Sequence, residues 1–145
     1  MKKWMKILGI LAALGVAGAI VGYVFVYNKS HPDYEKKTAK YVVSAEELFF
    51  AFKKDEMATS NQFNGQLIEI TGIMNEVEAT DESRIVYMVL GEGMFGNEGV
   101  RISMMASQNE ACDALSVGKQ ITVKGLCVGY NETDVIIQHG TLTKF

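Results

Sequence analysis

The order of apolar and polar positions divides the chain into stretches of different period. From Ile7 to Val26 no charged residue occurs. Wound as a helix, these 20 residues rise about 30 Å, the thickness of a bilayer's hydrocarbon core. Trp4 in front of the run and Tyr23 and Tyr27 at its far end are amphipathic rings placed for the headgroup layer, and Lys2, Lys3 and Lys6 are cationic anchors beside Trp4. Residues 1–27 therefore predict a transmembrane signal anchor. The alternative is a cleaved secretory signal, because Ala17-Gly18-Ala19 imitates the small-x-small cleavage pattern. Cleavage there would leave Ile20 to Val26 as an uncovered apolar terminus, which favours the anchor. Gly18 and Gly22 have the spacing through which two spans could pack as a weak dimer.

Residues 28–43 carry Lys29, His31, Pro32, Asp33, Glu35, Lys36, Lys37 and Lys40 without apolar periodicity and read as a tether. Ser44-Ala45-Glu46-Glu47 then matches a capping box, so a helix starts at Ala45. Ala45, Leu48, Phe49 and Phe52 form its apolar stripe, opposite Glu46, Glu47, Lys53 and Lys54. Phe50 lies among the charged positions and is expected to pack on the Met57 to Phe63 segment, a partner surface being the other reading.

From Gln66 the period becomes two. Gln66 to Ala79 reads as one long strand, with Ile68 and Ile70 on one parity and Ile73 and Val77 on the other. A bulge or bend at Gly72 would let both halves face a core. Arg84 to Leu90 is a second strand. A flexible Gly-rich loop over residues 91–99 leads to a third, in which Val100, Ile102 and Met104 alternate with Arg101 and Ser103. Ser107 and Glu110 repeat the capping-box spacing in front of a short helix that Gly118 ends. Ile121 and Val123 alternate with Thr122 and Lys124 in a fourth strand. A turn at Tyr130-Asn131-Glu132-Thr133 precedes the last, Asp134 to His139. The chain is thus read as mostly β: a five-stranded OB-fold barrel over residues 44–145, with an N-terminal helix and a short helix between strands 3 and 4, preceded by one transmembrane helix.

Charge narrows the choice of partners. The 145 residues carry a net charge of −3. Removing residues 1–27 removes three lysines and no acid, which leaves 11 bases against 17 acids, or −6. An acidic body of this kind repels phosphate backbones. Lys2, Lys3 and Lys6 lie within six residues in front of the span, whereas the lysines after it are dispersed. The denser cluster predicts a single-pass protein of the inner (cytoplasmic) membrane, N-terminus inside and the C-terminal domain outside the cytoplasm. No cysteine follows the span closely enough for a lipidated terminal residue.

The residues offer little chemistry. Cys112 and Cys127 are too far apart in sequence for a CxxC pattern; an exported domain could pair them, and buried free thiols are the other reading. His31 and His139 have no second ligand at metal spacing, so no zinc site is expected. Glu78, Asp81, Glu82, Glu132 and Asp134 could converge at one rim, yet they lack a calcium loop's ligand density and read as solvated acids. The 91–99 loop does not match GxxxxGK[ST]. Asn28-Lys29-Ser30 and Asn131-Glu132-Thr133 fit the glycosylation triplet. With no nucleophile–base pair or cofactor motif, neither catalysis nor a cofactor is expected.

Ser44 to Phe49, Leu67 to Gly72, Gly118 to Gly129 and Asp134 to Ile137 together resemble, in order and spacing, the tRNA_anti-like OB-fold family of small bacterial envelope proteins. The resemblance implies an OB barrel behind an N-terminal anchor or signal. It is no evidence of tRNA binding, because the name records a fold relationship. Members often carry a cysteine late in the final strand, where this chain has Gln138, His139 and Gly140, so no family disulfide is carried over. The expected function is a membrane-anchored binding module for a protein or small envelope ligand, recognised through Tyr87, Arg101, Met94, Phe95 and Tyr130. The alternative is a single-stranded nucleic-acid-binding domain, for which Tyr87, Arg84, Arg101, Lys124 and Tyr130 would supply stacking and charge.

Overall fold

The computed structural model describes residues 2–27 and 34–145; the side chain of Tyr27, the Asn28-Lys29-Ser30 triplet, His31 and Pro32 lie outside the described residues. The chain divides into two compact units, the second being Tyr34–Phe145. The first is one helix, α1 (Lys2–Tyr27). Its Lys2–Val26 stretch has a mean hydropathy of 2.3 and no buried residue, so it is long and apolar enough to cross a membrane, a test a signal sequence also passes.

The second unit contains β1 (Tyr41–Ser44), α2 (Ala45–Lys54), α3 (Glu56–Phe63), β2 (Leu67–Ile73), β3 (Glu76–Ala79), β4 (Arg84–Gly93), β5 (Gly96–Met104), α4 (Asn109–Asp113), β6 (Gln120–Tyr130) and β7 (Asp134–Lys144). The strands form one seven-stranded sheet in the order β1-β2-β6-β7-β5-β4-β3. Two departures from the pattern raise the expected five strands to seven. The long first strand is broken into β2 and β3, and β1 is recruited from the stretch read as tether.

The hydrogen-bonded ladder is open, with β1 and β3 at its edges, so it is not the closed barrel expected from the sequence. The covalent chain links its two ends instead. β2 pairs antiparallel with β6 and β3 antiparallel with β4, with only Met74 and Asn75 between them. Met74 still belongs to the first side: its N–H donates to the Lys119 carbonyl (3.0 Å), and its carbonyl accepts from Gly118 (2.8 Å). Asn75 belongs to the second: its N–H donates to the Tyr87 carbonyl (2.9 Å), and its Oδ1 accepts from Val89 N–H (2.8 Å).

The break therefore falls two residues beyond the expected bend at Gly72, which stays in register opposite Ile121. Gly72 has a different duty. A Cβ there would lie 2.7 Å from Met88 Sδ and 2.8 Å from the Ala45 Cβ, so its bareness lets β2, β4 and α2 meet. The parity also changes later than expected: Met74 is fully buried while Ile73 is half exposed.

Ser44 caps α2 as expected, accepting from Glu47 N–H (3.0 Å) while the Glu47 carboxylate accepts from Ser44 N–H (3.2 Å). Ala45, Leu48, Phe49 and Phe52 are buried on the sheet with Ile68, Ile70, Met88, Val100, Ile102, Val123 and Ile137. Phe50 instead stays half exposed, edge-on to Phe49 at 5.3 Å. The second capping box does not form: a 3-10 turn at Ala106–Gln108 precedes α4, and the Ser107 hydroxyl donates to Glu35 (2.6 Å).

The tether expected over 28–43 is folded from Tyr34 onward. Tyr34 stacks on His139 (4.6 Å between centroids), Lys40 N–H donates to the Leu67 carbonyl (2.7 Å), and β1 pairs parallel with β2. Lys124, expected on the wet face of its strand, is covered by this strap, and its Nζ donates to the carbonyls of Glu35 and Lys37 (2.7 Å each). A buried ammonium needs such partners. The last strand runs on from the expected His139 to Lys144.

Candidate ligand-binding face

The outward parity of β4 and β5 sets the site. Val86, Met88, Val100 and Ile102 are buried, so the intervening Tyr87 and Arg101 point to the other face of the sheet. They are register partners, and the Arg101 guanidinium lies 5.3 Å over the Tyr87 ring. Glu76 pairs with Tyr87 from β3, and Ile136 with Arg101 from β7, giving a row across four strands: Glu76, Tyr87, Arg101, Ile136.

Beside this row lies a hollow of about 90 Å³, lined among others by Glu76, Tyr87, Asn97, Glu98 and Asp134. It is smaller than the roughly 150 Å³ cavity that takes up benzene, so it accepts one small polar group and not an aromatic ring. Glu76 and Asp134 bring carboxylates to it, whereas Glu98 has the inward parity of Val100 and its carboxylate is turned to Lys53 on α2 (2.7 Å). Asp134 Oδ1 accepts from Gly99 N–H (3.1 Å). Burial raises the Asp134 carboxyl above its ordinary value, against the opposing pull of that hydrogen bond and of Arg101. Burial also raises the Tyr87 hydroxyl; Arg101 opposes it, and Glu78, Asp134 and Glu76 add to it. The phenol therefore remains a hydrogen-bond donor at neutral pH.

The five residues singled out by sequence do not form one site. Tyr87 and Arg101 meet. Met94 and Phe95 sit on the same β4–β5 hairpin but at its tip, seven residues along from Tyr87 and thus about 20 Å away. The 91–99 stretch is no loose loop, since Gly91, Glu92 and Gly93 pair with Glu98, Asn97 and Gly96. Tyr130 packs on the core helix, stacked on Phe52 (5.7 Å) and edge-on to Phe49 (6.5 Å). Of the acidic rim, Glu78 and Asp134 both act on Tyr87, whereas Asp81 and Glu82 lie in the Thr80–Ser83 turn, where the Glu82 carbonyl accepts from Asn109. Glu76, Asn97 and Glu98 were not singled out as site residues. The alternation Glu76-Val77-Glu78 marks one of them as outward, but no pattern tells which strand will lie beside Tyr87.

Cys112 and Cys127 are both free and buried, and burial pushes each thiol up to about 11. Cys112 lies beside the Asp113–Arg84 ion pair (2.7 Å), whereas the Cys127 thiol points to Asn64 (3.8 Å). A second, open hollow of about 470 Å³ lies at the start of α2, between Ser44, Gly72, Asn75 and Leu90. Ser44 already accepts from the Glu47 N–H there, and Glu46 and Glu47 stand in the first turn.

An OB-like β-domain preceded by an apolar helix, with an aromatic–guanidinium pair on its β4–β5 face, is the class of molecule these features define. Within that class the chain belongs to the tRNA_anti-like family, whose profile matches residues 1–141. Its fold is similar to that of an inferred nucleic acid-binding lipoprotein from Klebsiella pneumoniae, with 18% identity over 71% of this chain and 91% of that one and a TM-score of 0.53. Weaker likenesses are to aspartyl tRNA synthetase from Entamoeba histolytica (13% identity, 81% of this chain, 24% of that one, TM-score 0.46) and to an OBody bound to hen egg-white lysozyme (12% identity, 57% and 86%, TM-score 0.40). At these identities the likeness is one of fold. A comparison with curated proteins finds no match.

Proposed function

We propose that this protein is a membrane-anchored, OB-like binding module of the bacterial envelope, held in the inner membrane by α1 with residues 34–145 outside the cytoplasm. It acts by recognition rather than catalysis, and its ligand is a small molecule or peptide end that carries a positive charge. The single observation that carries this reading is the Tyr87–Arg101 pair beside a small hollow to which Glu76 and Asp134 bring carboxylates. A flat group can lie against the Tyr87–Arg101 pair while an ammonium fits the hollow, where the Glu76 and Asp134 carboxylates accept its hydrogen bonds.

The likeness to a protein described as nucleic acid-binding supports a second reading, in which Tyr87 and Arg101 stack a base. The charges weigh against it. Arg101 is the only cation in the row Glu76, Tyr87, Arg101, Ile136, and a polyanion would meet the Glu76 and Asp134 carboxylates at the hollow. Amide chemical-shift mapping of the full chain in detergent micelles separates the two. Titration with lysine- and arginine-ended dipeptides is expected to move Tyr87, Gly99, Arg101 and Asp134, and oligothymidine at low salt to move none of them. Shifts with the oligonucleotide, weakening steeply as salt is added, would replace the first reading by the second.

A further inference from the structure

The tip of the β4–β5 hairpin is the most exposed apolar feature of the folded unit: Met94 is 91% and Phe95 89% exposed. Neither residue is required by the turn. The only non-glycine residues with positive φ among those described are Glu132 and His139, so Met94 and Phe95 adopt ordinary backbone angles and Gly96 (φ 115°) makes the left-handed step. Polar residues would serve the same turn without exposing two large apolar side chains to water.

The arm that carries them is held in position. β5 meets β7 only from Gly99 onward, so residues 91–98 pair with each other alone and stand out as a two-stranded ribbon, marginal by itself. Its base is tied to α2 by the Lys53–Glu98 ion pair (2.7 Å). Phe50, one turn before Lys53 and Lys54 on the exposed side of α2, adds a half-exposed ring near that base.

We propose that Met94 and Phe95 form a lipid foot, a second contact in which the hairpin tip enters the interfacial layer of the bilayer. The inference rests on the reading of α1 as a membrane anchor. Three observations select a lipid surface over a protein groove. First, two side chains on a convex tip offer on the order of 400 Å², about half of what a stable protein interface needs from one partner. A fluid interface demands no complementary shape. Second, a span on the same chain keeps a bilayer at high effective concentration, so a weak insertion suffices. Third, exposed Glu92 lies two residues below the tip, about 7 Å along the strand, which limits entry to the 5–10 Å or so typical of interfacial segments. Residues 34–145 carry 10 bases and 16 acids, so the contact is apolar and requires no anionic lipid.

The test uses the full chain reconstituted in phosphatidylcholine vesicles containing brominated acyl chains. The chain's one tryptophan, Trp4, reports the anchor in the native protein. A Trp4→Phe, Phe95→Trp variant moves the reporter to the tip, and an unchanged circular dichroism spectrum confirms its fold. The indole at position 95 is expected to emit at shorter wavelength than a hairpin peptide carrying the same indole in buffer, to be quenched by bromine, and to be insensitive to added salt. Water-like, unquenched emission from position 95 with Trp4 quenched in the native chain overturns the foot and leaves the anchor standing. Unquenched Trp4 overturns the anchor, and the foot falls with it.

Discussion

Replacing Lys124 by Met tests the strap that the fold adds to the sequence. Lys124 is 9% exposed, and its ammonium is held by the Glu35 and Lys37 carbonyls at 2.7 Å each. Hydrogen bonds from a charged group are worth about 1.5–3 kcal/mol each, which puts the gross loss at about 3–6 kcal/mol. Two effects reduce it. Methionine fills a similar volume without burying a charge, and the strap carbonyls can turn to water once the strap lifts. The net loss is therefore about 1.5–3 kcal/mol, taken mainly from the closed strap. Since about 1.4 kcal/mol is a factor of ten, amides of residues 34–44 should exchange with deuterium about 10- to 150-fold faster, Lys40 N–H among them, while β5 and β6 exchange as before. Mass-spectrometric hydrogen exchange on the full chain in micelles reads this directly. Unchanged exchange over 34–44 would show that β1 pairing and the Tyr34–His139 stack hold the strap without the lysine, and would refute the reasoning.

Gly72→Ala forces a Cβ to within 2.8 Å of the Ala45 Cβ, and should lower the urea-unfolding stability by about 1–3 kcal/mol; an unchanged midpoint would mean that α2 yields. Asp134 has its folded carboxyl raised above 3.8, so it costs stability as pH rises from that value through the folded one, and the cost persists at neutral pH. Asp134→Asn keeps an oxygen for Gly99 N–H and should leave neutral-pH stability equal or higher while removing that acid-range slope in urea titrations. The thiols of Cys112 and Cys127, raised from 9.0 to about 11, hold their protons more tightly folded than unfolded, so stability should fall as pH rises through that interval. Iodoacetamide should label neither thiol rapidly in the native chain at mildly alkaline pH and both after denaturation, as read by intact mass.

The parts of the fold legible in sequence are those where local chemistry decides. Ser44 and Glu47 satisfy each other's backbone within one turn, and the stripe from Ala45 to Phe52 needs only a core to face. Val100, Ile102 and Met104 alternate inward as read. The Ser107–Glu110 spacing misled because the hydroxyl that would cap the helix is taken by Glu35, 72 residues earlier. The strap was illegible for the same reason: its polar residues make sense only against Lys124 and His139, which arrive late in the chain. Tyr87 and Arg101 stand out in sequence because outward aromatic and cationic residues on neighbouring strands are conspicuous, and the structure brings them together. The hollow beside them does not stand out, because it is assembled from β3, β4, β5 and the start of β7.

Sequence by itself determined the apolar helix at the front, the acidic body behind it, the capped α2 and the inward parity of most strands, since each depends on period, length or a contact within a few residues. Tertiary structure decided where the first strand breaks, that residues 34–43 fold back, that Lys124 is buried, and that Met94 and Phe95 stand about 20 Å from Tyr87 on a paired arm. Those outcomes depend on which strands become neighbours, and neighbours distant in sequence leave no trace in the local pattern of either partner.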